Sequence, residues 1–81
     1  MKMNPTELFT TSDLALATTL SLTFPIKYID KSNGNRAEFV FDNSLELNQF
    51  VEAFWKGEIT IEPRQYFNQL RDIKARIYDK R

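Results

Sequence analysis

The chain contains neither cysteine nor histidine. That double absence removes disulfides, thiolate nucleophiles and imidazole bases, and with them nearly every zinc, copper or haem arrangement. What remains for chemistry is carboxylate, lysine, tyrosine and hydroxyl, so catalysis would have to be of the carboxylate-and-magnesium kind. No Asp-x-Asp or Asp-x-Glu spacing gathers such ligands on a strand. The sequence therefore argues against an enzyme, a cofactor and a metal site, and offers no catalytic residue. Long apolar runs are missing too. None approaches the ~18 residues a spanning helix needs, and the opening MKMNPTE lacks the apolar stretch of a signal peptide. The expectation is a cytoplasmic protein with no membrane partner. Glycine (two) and proline (three) are scarce, and there is no repeat or low-complexity run. With 42 % hydrophobic and 14 % aromatic residues among 81, the composition is that of a folded globular domain. The expectation is one small domain over 1–81, α+β by the order of its elements, with residues 1–5 frayed. A chain this short buries about 60–65 % of the surface its unfolded form exposes, so its core is modest.

Net charge is zero, with 11 basic against 11 acidic residues, but the signs are not mixed evenly. Residues 42–62 carry five carboxylates against Lys56, and residues 63–81 carry six Lys/Arg against Asp72 and Asp79. An acidic segment is followed by a basic one. Either the two are neighbours and compensate each other, which is the plainer expectation, or the basic end meets an anionic partner.

The strongest local signal is FPIKYIDKSNGNRAEFVFD, Phe24 to Asp42. Asn33-Gly34 is a dipeptide that accepts positive φ at both central positions of a type I′ turn, so the stretch reads as a β-hairpin. Counting outward from that turn pairs Tyr28 with Phe39, Ile26 with Phe41 and Asp30 with Ala37 on one face. Lys27/Val40, Ile29/Glu38 and Lys31/Arg36 pair on the other. The first face is apolar and aromatic, and the second is mixed and basic.

Around the hairpin, TELFT (Thr6 to Thr10) reads as a short strand. Thr11, Ser12 and Asp13 supply candidate N-caps for a helix carrying Leu14, Leu16, Ala17 and Leu20, with Thr18, Thr19 and Ser21 on or near its exposed side and Pro25 as its stop. After the hairpin, Asn43 with Glu46 has the shape of a capping box, Ser44 being the alternative cap. Leu47, Phe50, Val51, Phe54 and Trp55 then make one helical stripe that Gly57 would end. Residues 58–62 alternate polar and β-branched side chains, a minimal strand. Pro63 suits the first turn of a last helix. The resulting order, β-α-β-β-α-(β) with a C-terminal helix, is the split βαβ, ferredoxin-like antiparallel sheet. Ile29 and Val40 suggest that the last helix crosses part of the second sheet face.

Three function classes can be weighed. RAEFVFD sits where RNA-recognition domains carry stacking aromatics, but Phe39 and Phe41 share the face that must form the core, so base stacking on the sheet is disfavoured. On the last helix Tyr66, Leu70, Ile73 and Ile77 cluster on one side, leaving Arg64, Phe67, Arg71, Lys74, Tyr78 and Arg81 on another. With Lys27, Lys31 and Arg36 in support, these nine residues form the candidate binding set. Alternating cations and rings suit a nucleic-acid backbone. They suit equally a protein partner or self-association, where Trp, Tyr and Arg anchor interfaces. The second reading, a non-enzymatic interaction or assembly module, is preferred.

The stretches FTTSDLALATTL, RAEFVFD and FVEAFWKGEITIEPRQYFNQLRDIKARIY together resemble a group of small prokaryotic proteins known as the domain of unknown function DUF5659. The matching pieces are Thr11 and Asp13, Phe39 and Phe41, the FWKGE turn at Phe54 to Glu58, and Arg71, Lys74, Arg76 and Tyr78. The resemblance runs from about Phe9 to Tyr78. It implies no activity. It does imply that the C-terminal Arg/Lys/Tyr set belongs to the family pattern.

Overall fold

The computed structural model describes residues 7–34 and 36–78. Six elements follow in order: β1 (Leu8–Thr11), α1 (Leu14–Ser21), β2 (Tyr28–Asn33), β3 (Arg36–Asp42), α2 (Leu45–Trp55) and α3 (Pro63–Tyr78). The fold is α+β, a three-stranded antiparallel sheet with three helices. The strand order is β1-β3-β2, and β3 runs antiparallel to both neighbours. β1 and β2 are therefore parallel to each other, and α1 is the crossover between them.

The helix ends are set by local chemistry. The Leu16 N–H donates to Asp13 Oδ1 (3.0 Å), and the Leu47 N–H donates to Ser44 Oγ (3.0 Å), so Asp13 and Ser44, not Asn43, are the caps. Gly57 adopts φ +73°. Its N–H reaches Phe54 O (3.0 Å), and the next N–H, of Glu58, reaches Ala53 O (2.9 Å), the paired bonds of a Schellman turn. α3 starts with Pro63 at its first position, while the Gln65 N–H is taken by Glu62 Oε1 (2.8 Å).

The core is one cluster on one side of the sheet. Leu16, Ala17 and Leu20 of α1, Leu47 of α2 and Ile73 of α3 close over Phe39 and Phe41. Phe9, Ile26, Ile29 and Ile77 pack around it. α1 is buried on more of its circumference than its leucines require, because Thr18 and Thr19 are buried as well. Their hydroxyls donate to the Leu14 and Ala15 carbonyls, each at 2.8 Å, which satisfies them without solvent. The expected exposed threonine face is thus corrected.

Two further expectations are corrected. The hairpin forms, but its pairs are Tyr28↔Val40, Ile29↔Phe39 and Asp30↔Glu38, with Asn33↔Arg36 at the tip and an irregularity in between. The register is one residue from that of an Asn33-Gly34 turn, because Asn33 is itself the last paired residue and Gly34 (φ +73°) lies beyond it. The extra residue on β2 falls where the Ser32 N–H (2.9 Å) and Oγ–H (2.7 Å) both donate to Asp30 Oδ1, a local alternative to the ladder. A slip of one residue exchanges faces. Ile29 turns to the core, and Tyr28 stands on the outer face, 47 % exposed. Val40 shares that outer face yet is only 3 % exposed, flanked by its partners Thr10 and Tyr28. α3 packs against the core side, not across this face.

Residues 58–62 form no strand. Ile59 and Ile61 instead line hollows with Thr19, Phe50, Phe54 and Tyr66, so the alternating isoleucines are spent on packing against the helices. The fourth strand of a ferredoxin-like sheet is not formed among the described residues, and β1 ends the strand order.

Candidate functional site

α3 carries two stripes. Tyr66, Leu70, Ile73 and Ile77 face inward, Ile73 fully. Phe67, Arg71, Lys74 and Tyr78, at i, i+4, i+7 and i+11, lie about 100° further round and are all exposed. The turn toward α1 is on the opposite flank, where the Gln69 amide donates to Ser21 Oγ (2.9 Å). The second stripe lies on the flank away from that contact, and only its Tyr78 end meets α1, in a hollow shared with Leu14. Phe67 is 59 % and Tyr78 72 % exposed, and a shallow groove of about 430 Å³ is lined by Phe67, Leu70, Arg71 and Lys74. Leu70 is the member that sequence periodicity assigned only to the core. Its place between the two stripes could have been read from the helical wheel.

Neither Arg71 nor Lys74 makes a hydrogen bond or ion pair among the described residues, and the same is true of Arg64. Lys27 pairs with Asp42 (3.1 Å) and Lys56 with Glu52 (3.7 Å), and neither of these ion pairs joins α2 to α3. Among the described residues, no ion pair links the carboxylates of α2 to the cations of α3.

The three hairpin cations are engaged elsewhere. Lys27 pairs with Asp42 at the sheet edge. Lys31 Nζ donates to the Ile77 (3.1 Å) and Arg76 (3.4 Å) carbonyls, covering the C-terminal end of α3. Arg36 donates to Ser12 Oγ (2.9 Å) and shares a small hollow with Leu14, Ile77 and Tyr78. The expected Lys31/Arg36 cross-strand pair does not form, since Arg36 faces Asn33 and Lys31 falls in the irregular stretch. The structure thus brings Arg36 and Lys31 to the Tyr78 end of α3 but leaves Lys27 apart. Arg81 lies outside the described residues.

Residues 6–79 match the family described as Domain of unknown function (DUF5659). The chain belongs to that family. No curated protein and no solved structure matches it. The four pieces of this DUF5659 chain that carry the resemblance differ in what they do. The Asp13 N–H donates to Thr11 Oγ1 (3.1 Å), and Asp13 caps α1. Phe39 and Phe41 are buried under the helices. The FWKGE piece is the Schellman turn. Those three build the fold. The fourth differs, because the Arg71, Lys74 and Tyr78 side chains are exposed and, among the described residues, the Arg71 and Lys74 side chains have no hydrogen-bond or ion-pair partner. Among the described residues of this DUF5659 domain, no group of three acidic side chains converges to hold a metal, and no helix is long and apolar enough to cross a membrane.

Proposed function

We propose that this protein is a cytoplasmic, non-enzymatic binding module that docks an acidic segment of a protein partner on the outer flank of α3. The observation that carries this reading is the pair Arg71 and Lys74, without intramolecular side-chain partners among the described residues, lining a shallow groove with Leu70 and the exposed Phe67 ring, with the exposed Tyr78 ring one turn beyond Lys74. Rings supply contact area at little entropic cost, and unpaired cations steer an oppositely charged partner and fix its register. A partner segment with a bulky apolar side chain and carboxylates one helical turn away would fill the groove and meet both cations.

The test is fluorescence anisotropy with labelled amphipathic ~15-residue peptides in two versions, one Glu-rich and one with Lys at the same positions. The Glu-rich peptide is expected to bind, and the Lys version not. Arg71→Ala/Lys74→Ala and Phe67→Ala should each weaken binding about tenfold, while Arg76→Ala, on the other flank, should not. Equal binding of both peptides, or indifference to the α3 variants, would overturn the proposal.

A nucleic-acid ligand is the second reading, favoured by the alternation of two rings and two cations over roughly 16 Å of helix. With the hairpin cations engaged within the fold, Arg71, Lys74 and Arg64 are the members of the candidate set that remain for phosphates among the described residues. Single-stranded oligonucleotides should then bind with a log–log salt slope near −1.4 to −2.1. Oligonucleotide binding with that slope, together with no peptide binding, would favour this reading.

A further inference from the structure

The sheet has two outer strands, and they are not alike. β2 carries Asp30 and Lys31 and an irregular register held by the Asp30–Ser32 hydrogen bonds. Charge and bulges are the devices that keep an edge from pairing. β1 has none of them. Leu8-Phe9-Thr10-Thr11 is uncharged and free of proline, and its register runs unbroken from Leu8↔Asp42 to Thr11↔Phe39. Among the described residues nothing pairs with its outer side. Residues 58–62, which could have covered it, pack over α1 instead.

The ladder also fixes which backbone groups of β1 are free. The Asn43 N–H donates to Glu7 O (3.1 Å), which makes Glu7/Asn43 a hydrogen-bonded pair. By the alternation of antiparallel ladders, Phe9 and Thr11 also turn their N–H and C=O toward β3, while Leu8 and Thr10 turn theirs outward. Two donors and two acceptors thus stand two residues apart on the open edge. Such a set is self-complementary. A two-fold axis normal to the sheet at Phe9 places Leu8 opposite Thr10 of a second copy, and Thr10 opposite Leu8 of that copy, with all four outward N–H groups satisfied. Phe9, already against Phe41 at 6.4 Å and only partly buried, then faces its own copy in the close, non-hydrogen-bonded position. Leu8, 44 % exposed, lies beside Thr10 of the second copy on the outer face.

We propose that this protein self-associates through β1 into a two-fold dimer with one continuous six-stranded antiparallel sheet. The occupant of the edge is a second copy, because the free groups match their own two-fold image and no charge on β1 repels it. A four-residue strand buries less than the ~1,000 Å² of a firm interface, so the dimer dissociates in roughly the 10 µM to 1 mM range. The inference is independent of the α3 reading.

The experiment is sedimentation equilibrium of the full chain from about 10 µM to 1 mM, with amide hydrogen exchange at both ends of the range. The Leu8 and Thr10 amides should be unprotected when dilute and protected about tenfold or more when concentrated. Thr10→Pro removes an outward N–H that β3 does not use. This variant should stay monomeric throughout, and Arg71→Ala/Lys74→Ala should dimerise like the wild type. A wild-type monomer at 1 mM would overturn the proposal, as would a dimer in which the Leu8 and Thr10 amides exchange as fast as in the monomer. The exchange measurement needs no variant, so the outcome is decisive even if Thr10→Pro fails to fold.

Discussion

The hairpin register decides which of two neighbouring side chains supports the core, and the two answers differ in measurable stability. Counting from an Asn33-Gly34 turn puts Tyr28 inside and Ile29 outside, whereas the structure does the reverse. Ile29→Ala removes three carbons from a partly buried side chain packed on the cluster around Phe39. At ~0.8 kcal/mol per buried methylene, with a cavity contribution and a discount for partial exposure, the cost is about 2 kcal/mol. Tyr28→Ala loses a cross-strand contact with Val40 on an open face, about 0.5–1 kcal/mol. For a domain of this size, with a total stability of roughly 4–12 kcal/mol, the two are easily separated. In urea, with a slope of about 1 kcal/mol/M, Ile29→Ala should lower the midpoint by ~2 M and Tyr28→Ala by less than half of that. Far-UV circular dichroism is the suitable probe, since Trp55 is 63 % exposed and a poor reporter of the core. If Tyr28→Ala proves the costlier substitution, the register described here is wrong.

Gly57→Ala should cost about 1 kcal/mol purely through its backbone, because an added Cβ meets nothing within 4 Å at φ +73°; Gly57→Asn should cost less, both read from urea midpoints. Lys31→Met keeps the aliphatic stem but removes the donor to the Ile77 and Arg76 carbonyls, and about 0.5–1 kcal/mol should be lost at low salt and less at high salt. The Ser32 hydroxyl, followed by the Ser32 N–H, holds the Asp30 carboxyl below the usual aspartate range. A carboxyl depressed in the folded state contributes stability above its unfolded pKa and loses it as pH falls through the folded one. Ser32→Ala should therefore raise the Asp30 titration seen by NMR, and Asp30→Asn should remove its share of the acid limb below about pH 4.

Helices were the legible part of this chain. Asp13 before Leu14, Gly57 after Trp55 and Pro63 at the head of α3 each act through short-range chemistry that the residue type announces. What could not be read depended on competition between equivalent local choices. Asn-Gly-Asn offers two placements for one tight turn, and only the Asp30–Ser32 bonds and the demand of Phe39 for an apolar neighbour select between them. Alternating Ile59 and Ile61 suit a strand or a packed connector, and their helix-facing partners lie far away in sequence. For the candidate site, the ring-and-cation stripe of α3 followed from helical geometry alone. That Lys27, Lys31 and Arg36 are occupied could not be foreseen, because their partners Asp42, Ile77 and Ser12 are set by the tertiary fold.

The placement of β3 between β1 and β2 also governs the order in which this chain can fold during synthesis. β2 and β3 are neighbours in sequence and can zip as soon as the turn is made, but Leu8 waits for Asp42, more than 30 residues behind it. At 5–20 residues per second, β1 leaves the ribosome roughly two to seven seconds before its partner strand emerges. Ile73, which closes the core, comes later still. The one strand of the sheet with no edge protection is thus also the first to appear and the last to be paired, and the nascent chain is most open to mispairing, or to a helper protein, through those four residues.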